Sequence, residues 1–106
     1  MKIHVPAAVT AALILSSCTW VELERGAEGV RLVEPSHVLN CERLGTTTTS
    51  VKSRVAGVER DPDKVAAELA DLARNSAWDM NGDTIVADGP ARDGEQRFVI
   101  YRCRSR

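Results

Sequence analysis

Cys18, Cys41 and Cys103, with His37 four residues before Cys41, are the side chains of this 106-residue chain best suited to chemistry. A thiol acts as a nucleophile only as an activated thiolate with a base within reach. A spacing of four would put His37 and Cys41 on one face of a helix, but Pro35 and its flanking pattern argue against a helix there. A disulfide is the better use of Cys41, and no two of the three cysteines have the CxxC spacing of a redox pair. Asp79-Met80-Asn81-Gly82-Asp83 is spaced like the start of a calcium loop. The twelfth position, which should supply an acid, is Pro90, and Asn81-Gly82 is explained as a helix stop. Ser-His-Asp logic, a glycine-rich phosphate loop and zinc spacing are all missing. No metal, no cofactor and no enzymatic reaction is expected, and the scattered acids read as a solvated surface.

Cys18 needs its own explanation. Residues 1–17 have a weakly positive start at Lys2, an uncharged, mostly apolar run from Ala7 to Leu15, and small residues at Ser16 and Ser17. That is the layout of an export signal. The run is too short to span a bilayer, which takes ~20 apolar residues. Leu15-Ser16-Ser17-Cys18 resembles the bacterial lipobox. The resemblance implies cleavage before Cys18, a diacylglycerol on its thiol and a third acyl chain on its new amino group. One acyl chain anchors a protein only marginally, at ~0.8 kcal/mol per buried CH₂, whereas two or more hold it stably. The lipid on Cys18 is thus the only covalent group expected. Thr19 stands where Asp would mark inner-membrane retention, so the expected location is the outer membrane, facing the periplasm. In that oxidising compartment the remaining pair, Cys41 and Cys103, reads as a structural disulfide. Closing a loop of roughly 60 residues would stabilise the fold by about 4 kcal/mol.

Composition excludes other classes. A formal charge of −1 with acids and bases interspersed gives no electrostatic footprint for nucleic acid, and 4% aromatics is too few for base stacking. With 43% hydrophobic and 27% charged residues the chain is foldable, with room for one small domain.

The elements that must position these residues follow along the chain. Residues 18–29 contain two glycines and several charges and suggest a lipid anchor and tether, with Trp20 able to sit at headgroup level. The alternative is that Trp20, Val21 and Leu23 pack back onto the domain. A single α+β domain is expected over 30–106. Val30–Val33 reads as a short strand ended before Pro35, and Cys41–Val51, with its Thr46–Thr49 tract, as a longer one. Gly45 marks a bulge or a close backbone approach. Asp61-Pro62-Asp63 is a helix start. Val65, Leu69, Leu72, Ser76 and Met80, flanked by Ala66, Ala70, Ala73 and Ala77, form one apolar face suited to lying on a sheet. Glu68, Asp71, Arg74, Asn75 and Asp79 should face away. Trp78 falls on the polar side, either folded over a domain edge or exposed as a contact residue. Asp83–Ala87 reads as a buried strand and Gln96–Arg104 as the last, with Phe98 and Ile100 on one face. The expected fold is a small mixed sheet of about four strands. One helix lies on one face, and Cys103 comes beside Cys41.

The segments "CTWVEL", "VRLV", "CERLG", "VAAELADLARNSA", "NGDTIV" and "GEQRFVIYRC" resemble a family of small proteobacterial lipoproteins known only as domain of unknown function 4156. That family looks distantly similar in fold to RcsF, an outer-membrane lipoprotein that reports envelope stress. RcsF-like domains carry two disulfides, and Cys41 and Cys103 suffice for one.

Two non-enzymatic readings follow. One is an adaptor or stress sensor that binds an envelope protein through a sheet face or an open strand edge, with Trp20 and Trp78 as candidate contacts. The other is a structural or cell-wall-binding lipoprotein. A groove lined with acids and amides would favour the second. No nucleic-acid partner is expected, and a small-molecule ligand is not identified.

Overall fold

The computed structural model describes residues 21–104, so the export signal, Cys18 and Trp20 lie outside the described residues. Six strands and one long helix make up the domain: β1 (Arg31–Leu32), β2 (Glu42–Ser50), β3 (Arg54–Val55), β4 (Val58–Glu59), α1 (Pro62–Asp79), β5 (Thr84–Ala87) and β6 (Glu95–Arg102). β1-β5-β6-β2 form one mixed sheet, with β1 parallel to β5 and the other neighbours antiparallel. The α+β fold with one helix, a four-stranded sheet and one disulfide is the one read from sequence. β3 and β4 add a separate two-stranded ribbon.

α1 begins where Asp61 accepts a hydrogen bond from the Asp63 amide at 3.0 Å, with Pro62 in the first turn. It ends on Asn81 in the left-handed region (φ 65°). The Asn81 amide bonds to Trp78 O and the Gly82 amide to Ala77 O, which is the Schellman pattern. Gly82 is needed for space. A Cβ there would lie 2.6 Å from Ile100 Cγ2.

Helix and sheet meet through Val65, Leu69, Ala70, Ala73 and Ala77 on α1, with Ile85, Phe98 and Ile100 beneath and Val30 at the edge. This stripe is offset from the expected one. Ala66 and Met80 are exposed, and Leu72 and Ser76 are half-buried. Alanines at 73 and 77 let the helix axis approach the sheet closely, which narrows the contact and leaves the larger neighbours at its margins. The threonine tract serves the same interface. Thr49 is buried and its hydroxyl donates to Leu69 O at 3.1 Å, while Thr47 donates to Ser76 Oγ at 3.2 Å. Thr46 and Thr48 alternate outward. Gly45 marks the register shift in β2, and a Cβ there would lie 3.0 Å from Met80 Cε.

β1 and β2 are the two edges of the sheet and run parallel. The 33–41 connection therefore crosses the sheet one way, and α1 crosses it back. Right-handed crossovers in opposite directions belong on opposite faces. Thr84 and Val86, which alternate with Ile85 and so face away from α1, are 2% and 5% exposed, in agreement with cover on that side. Val38, in the short 3-10 turn Pro35–Val38 of this connection, is buried too.

The β3–β4 ribbon has no counterpart in the sequence reading. Ala56 (φ 52°) and Gly57 (φ 79°) form its two-residue turn, both in the left-handed region, as a type I′ hairpin requires. Val55 and Val58 flank the turn and stay exposed.

Candidate functional site

The polar residues of α1 stay out of the core as expected, and Glu68, Asp71, Arg74 and Asn75 do more than meet solvent: they hold other parts of the chain. Asn75 takes the Glu24 amide on its Oδ1 at 2.7 Å and donates its Nδ2 to Glu22 O at 2.9 Å. Arg74 donates to Val30 O at 3.0 Å and pairs with Asp71. Glu68 forms a two-point pair with Arg60, at 2.9 and 2.7 Å, with both side chains mostly covered. Hydrogen bonding to Arg60 holds the Glu68 carboxyl below its usual range, against the opposing pull of burial. Of the two readings of the segment before β1, packing back is what the geometry shows for residues 22–30. Ala27, in the 3-10 turn Ala27–Gly29, is fully buried. The neighbouring Asp79 carboxyl, together with burial, pushes Glu24 above its ordinary value.

Trp78 is half-buried and packs against the core. Its six-membered ring lies on Gly26, where a Cβ would come within 2.5 Å of Trp78 Cζ2. Folded over the domain edge, its ring lies partly against the chain's own backbone. Gly26 (φ +93°) therefore has both a conformational and a steric reason to be glycine. Gly26→Ala should destabilise the docked segment by about 1–3 kcal/mol. The measurement is the rate of tryptic cleavage after Arg25, which should rise while helical circular dichroism is retained; an unchanged rate would contradict this account.

Beside Trp78, at the end of the sheet where β1 and β5 begin and β6 ends, Asp83 has an unusual concentration of donors. Its carboxylate accepts from the Thr84 hydroxyl, the Cys103 amide and the Arg104 amide, each at 2.8 Å, and is buried. Burial alone would raise its pKa. The Cys103 amide, the Thr84 hydroxyl and the Arg104 amide, with the Arg104 charge, outweigh burial and hold it below its ordinary value. Nothing in the sequence pattern marks the two amide donors, because they arrive from just beyond the end of β6, about 20 residues downstream. The same end carries the disulfide. Cys41 and Cys103 are bonded, Cα to Cα 4.5 Å, one step beyond the last ladder pair, Glu42 and Arg102. Arg102 ties the helix stop to β2 through Asn81 O and Glu42. Cys41 is thus oxidised, and its contact with His37 is to the backbone oxygen, 3.9 Å from Sγ. The Asp79–Asp83 run is divided between a helix end and this amide-filled carboxylate.

Two concavities flank this framework. One, of about 240 Å³, lies between Gly26, Gly29, Val30, Trp78, Asp83 and Arg104. The other, about 560 Å³ and open, lies at the far end of β2 and β6, with Ser50, Asp88, Asp93, Glu95, Gln96 and Arg97 on its walls. Between these ends runs the outer edge of β2, nine residues long and paired only on its β6 side among the described residues. The described residues contain no cluster of three or more His, Cys, Asp or Glu that could hold a metal ion. No helix among them is long and apolar enough to cross a membrane.

Fold and site thus define a small disulfide-closed α+β domain. The chain belongs to the family Domain of unknown function (DUF4156), whose model matches residues 21–103. The match starts one residue before Glu22, which Asn75 holds, and ends at Cys103 of the disulfide. No curated protein and no solved structure matches the chain.

Proposed function

We propose that this protein is an outer-membrane lipoprotein, anchored through Cys18, whose periplasmic domain is a non-enzymatic adaptor for another envelope protein. The observation that carries the reading is the outer edge of β2, which no other strand covers among the described residues. Its nine residues contain no proline and no lysine, two of the usual devices that block strand addition. The Gly45 bulge leaves Thr46 to Ser50 in regular register for a partner strand. A stress-sensing form of this role belongs to the same proposal.

The anchor has a direct test. Intact mass of membrane-extracted protein should start at Cys18 and carry acyl chains; a mature start elsewhere sinks the anchored reading. For the adaptor role, photo-cross-linkers at the exposed Thr46 and Thr48 should capture one envelope protein repeatedly in living cells. Capture should fall when Thr48→Pro disturbs the edge. Only self-links, or links to cell-wall fragments, would overturn it.

The open 560 Å³ concavity favours the second reading, a cell-wall-binding lipoprotein. It has the acids and the amide that such a ligand needs, although Gln96 Nε2 is committed to Gly89 O at 3.0 Å. Sedimentation with purified peptidoglycan, lost on Asp93→Ala together with Glu95→Ala, would support it over the adaptor.

A further inference from the structure

We infer that the depression beside Trp78 receives the C-terminal carboxylate of a partner protein's chain, an inference that rests on the protein-adaptor reading above. Its walls are of two kinds. Val30, the glycines and the Trp78 ring give an apolar surface, and Arg104 supplies the cation. Among the described residues Arg104 makes one ion pair, through Nε to Asp83 Oδ2 at 3.6 Å, and its side chain is 55% exposed. An Nε contact leaves the two terminal nitrogens as a pair, the geometry that a carboxylate meets with two parallel hydrogen bonds.

The identity of the anion follows from the charge already present. Asp83 lines the same depression beside the guanidinium, so Arg104 and Asp83 together are near neutral and the paired hydrogen bonds of the guanidinium, not net charge, hold the anion. A dianionic phosphate would find too little positive charge there, and its neighbours would be apolar. A singly charged carboxylate on a small aliphatic residue satisfies both walls. A volume of about 240 Å³ suits a terminal residue or two and falls short of the 300–1,000 Å³ common for drug-sized ligands. Asp83 does not compete for the ligand's donors, since its oxygens already accept three hydrogen bonds.

Gly29 provides a way to close the site without disturbing the fold. It lines the depression, and a Cβ built there meets nothing within 4 Å. Gly29→Leu should therefore fill the cavity, whereas Gly82→Ala would clash with Ile100 and is unsuitable.

The probe is acetyl-Ala-Ala-Val with a free carboxylate, titrated into isotope-labelled full-length protein in detergent and followed by NMR. Saturable shifts are expected at the Gly26, Gly29 and Gly82 amides and the Trp78 indole. The C-terminal amide of the same peptide, Arg104→Gln, and Gly29→Leu should each weaken binding by about tenfold or more. Thermal midpoints near wild type show that the two variants remain folded. No saturable shift, or equal binding of the amide, would overturn the site. Equal or tighter binding of a peptide ending in D-alanyl-D-alanine would overturn a protein terminus as the ligand and assign the site to the cell wall. Failure here leaves the β2 cross-links as an independent measure of the adaptor role.

Discussion

Replacing both Cys41 and Cys103 by alanine should lower the unfolding free energy by about 4 kcal/mol, and the thermal midpoint by roughly 15–30 °C. The bond spans 62 positions of sequence, so its loss releases a long loop in the unfolded chain. The folded state keeps its geometry. The β2–β6 ladder runs from Glu42 with Arg102 to Ser50 with Glu95, and Asp83 still holds the Cys103 amide. The variant should therefore retain the native amide spectrum while its urea midpoint falls. A loss below about 1 kcal/mol would mean that the unfolded chain already keeps the two strand ends close.

Asp83→Ala is expected to cost about 3 kcal/mol, because it strands two backbone amides and a hydroxyl that donate to one buried carboxylate. Its pH dependence has a definite sign. The folded carboxyl titrates below its ordinary value, so its contribution is complete above the unfolded value near 4. That contribution is lost as pH falls through the lower folded value. Asp83→Asn keeps one acceptor but turns an NH₂ toward the Arg104 amide. Its deficit against wild type should be large at pH 7 and shrink toward pH 2. Paired denaturation curves at the two pH values measure this. Glu68 shifts in the same direction in both proteins, and the comparison removes it. A deficit that grows in acid would refute the assignment.

The main architecture was legible because its signals are local. Asp61-Pro62-Asp63 and Asn81-Gly82 bracket α1, alternation sets Phe98 and Ile100 inward, and Cys41 and Cys103 pair as expected. What the sequence hid depends on partners distant in the chain. Asn75 looks like a solvated helix residue until Glu22 and Glu24 arrive from more than 50 positions upstream. Glu68 looks equally solvated until Arg60 folds onto it. The β3–β4 ribbon carries its turn on Ala56 rather than Asn or Asp, so the usual hairpin pair is missing. Trp78, off the apolar stripe, could be placed only once Gly26 lay beneath it. Cys18 and Trp20 rest on sequence alone.

The arrangement of Gly26 and Arg104 around one depression has a practical consequence for labelling. The described chain leaves the domain at Arg104, beside Gly26 and Trp78, so a fluorescent protein or epitope fused beyond Arg104 would start next to the clasped N-terminal segment. The Ala56–Gly57 turn is exposed, is built of small residues, and follows β2 at the sheet's opposite end. A short tag inserted there would report on the protein in the cell while leaving the Asp83 network and the disulfide untouched.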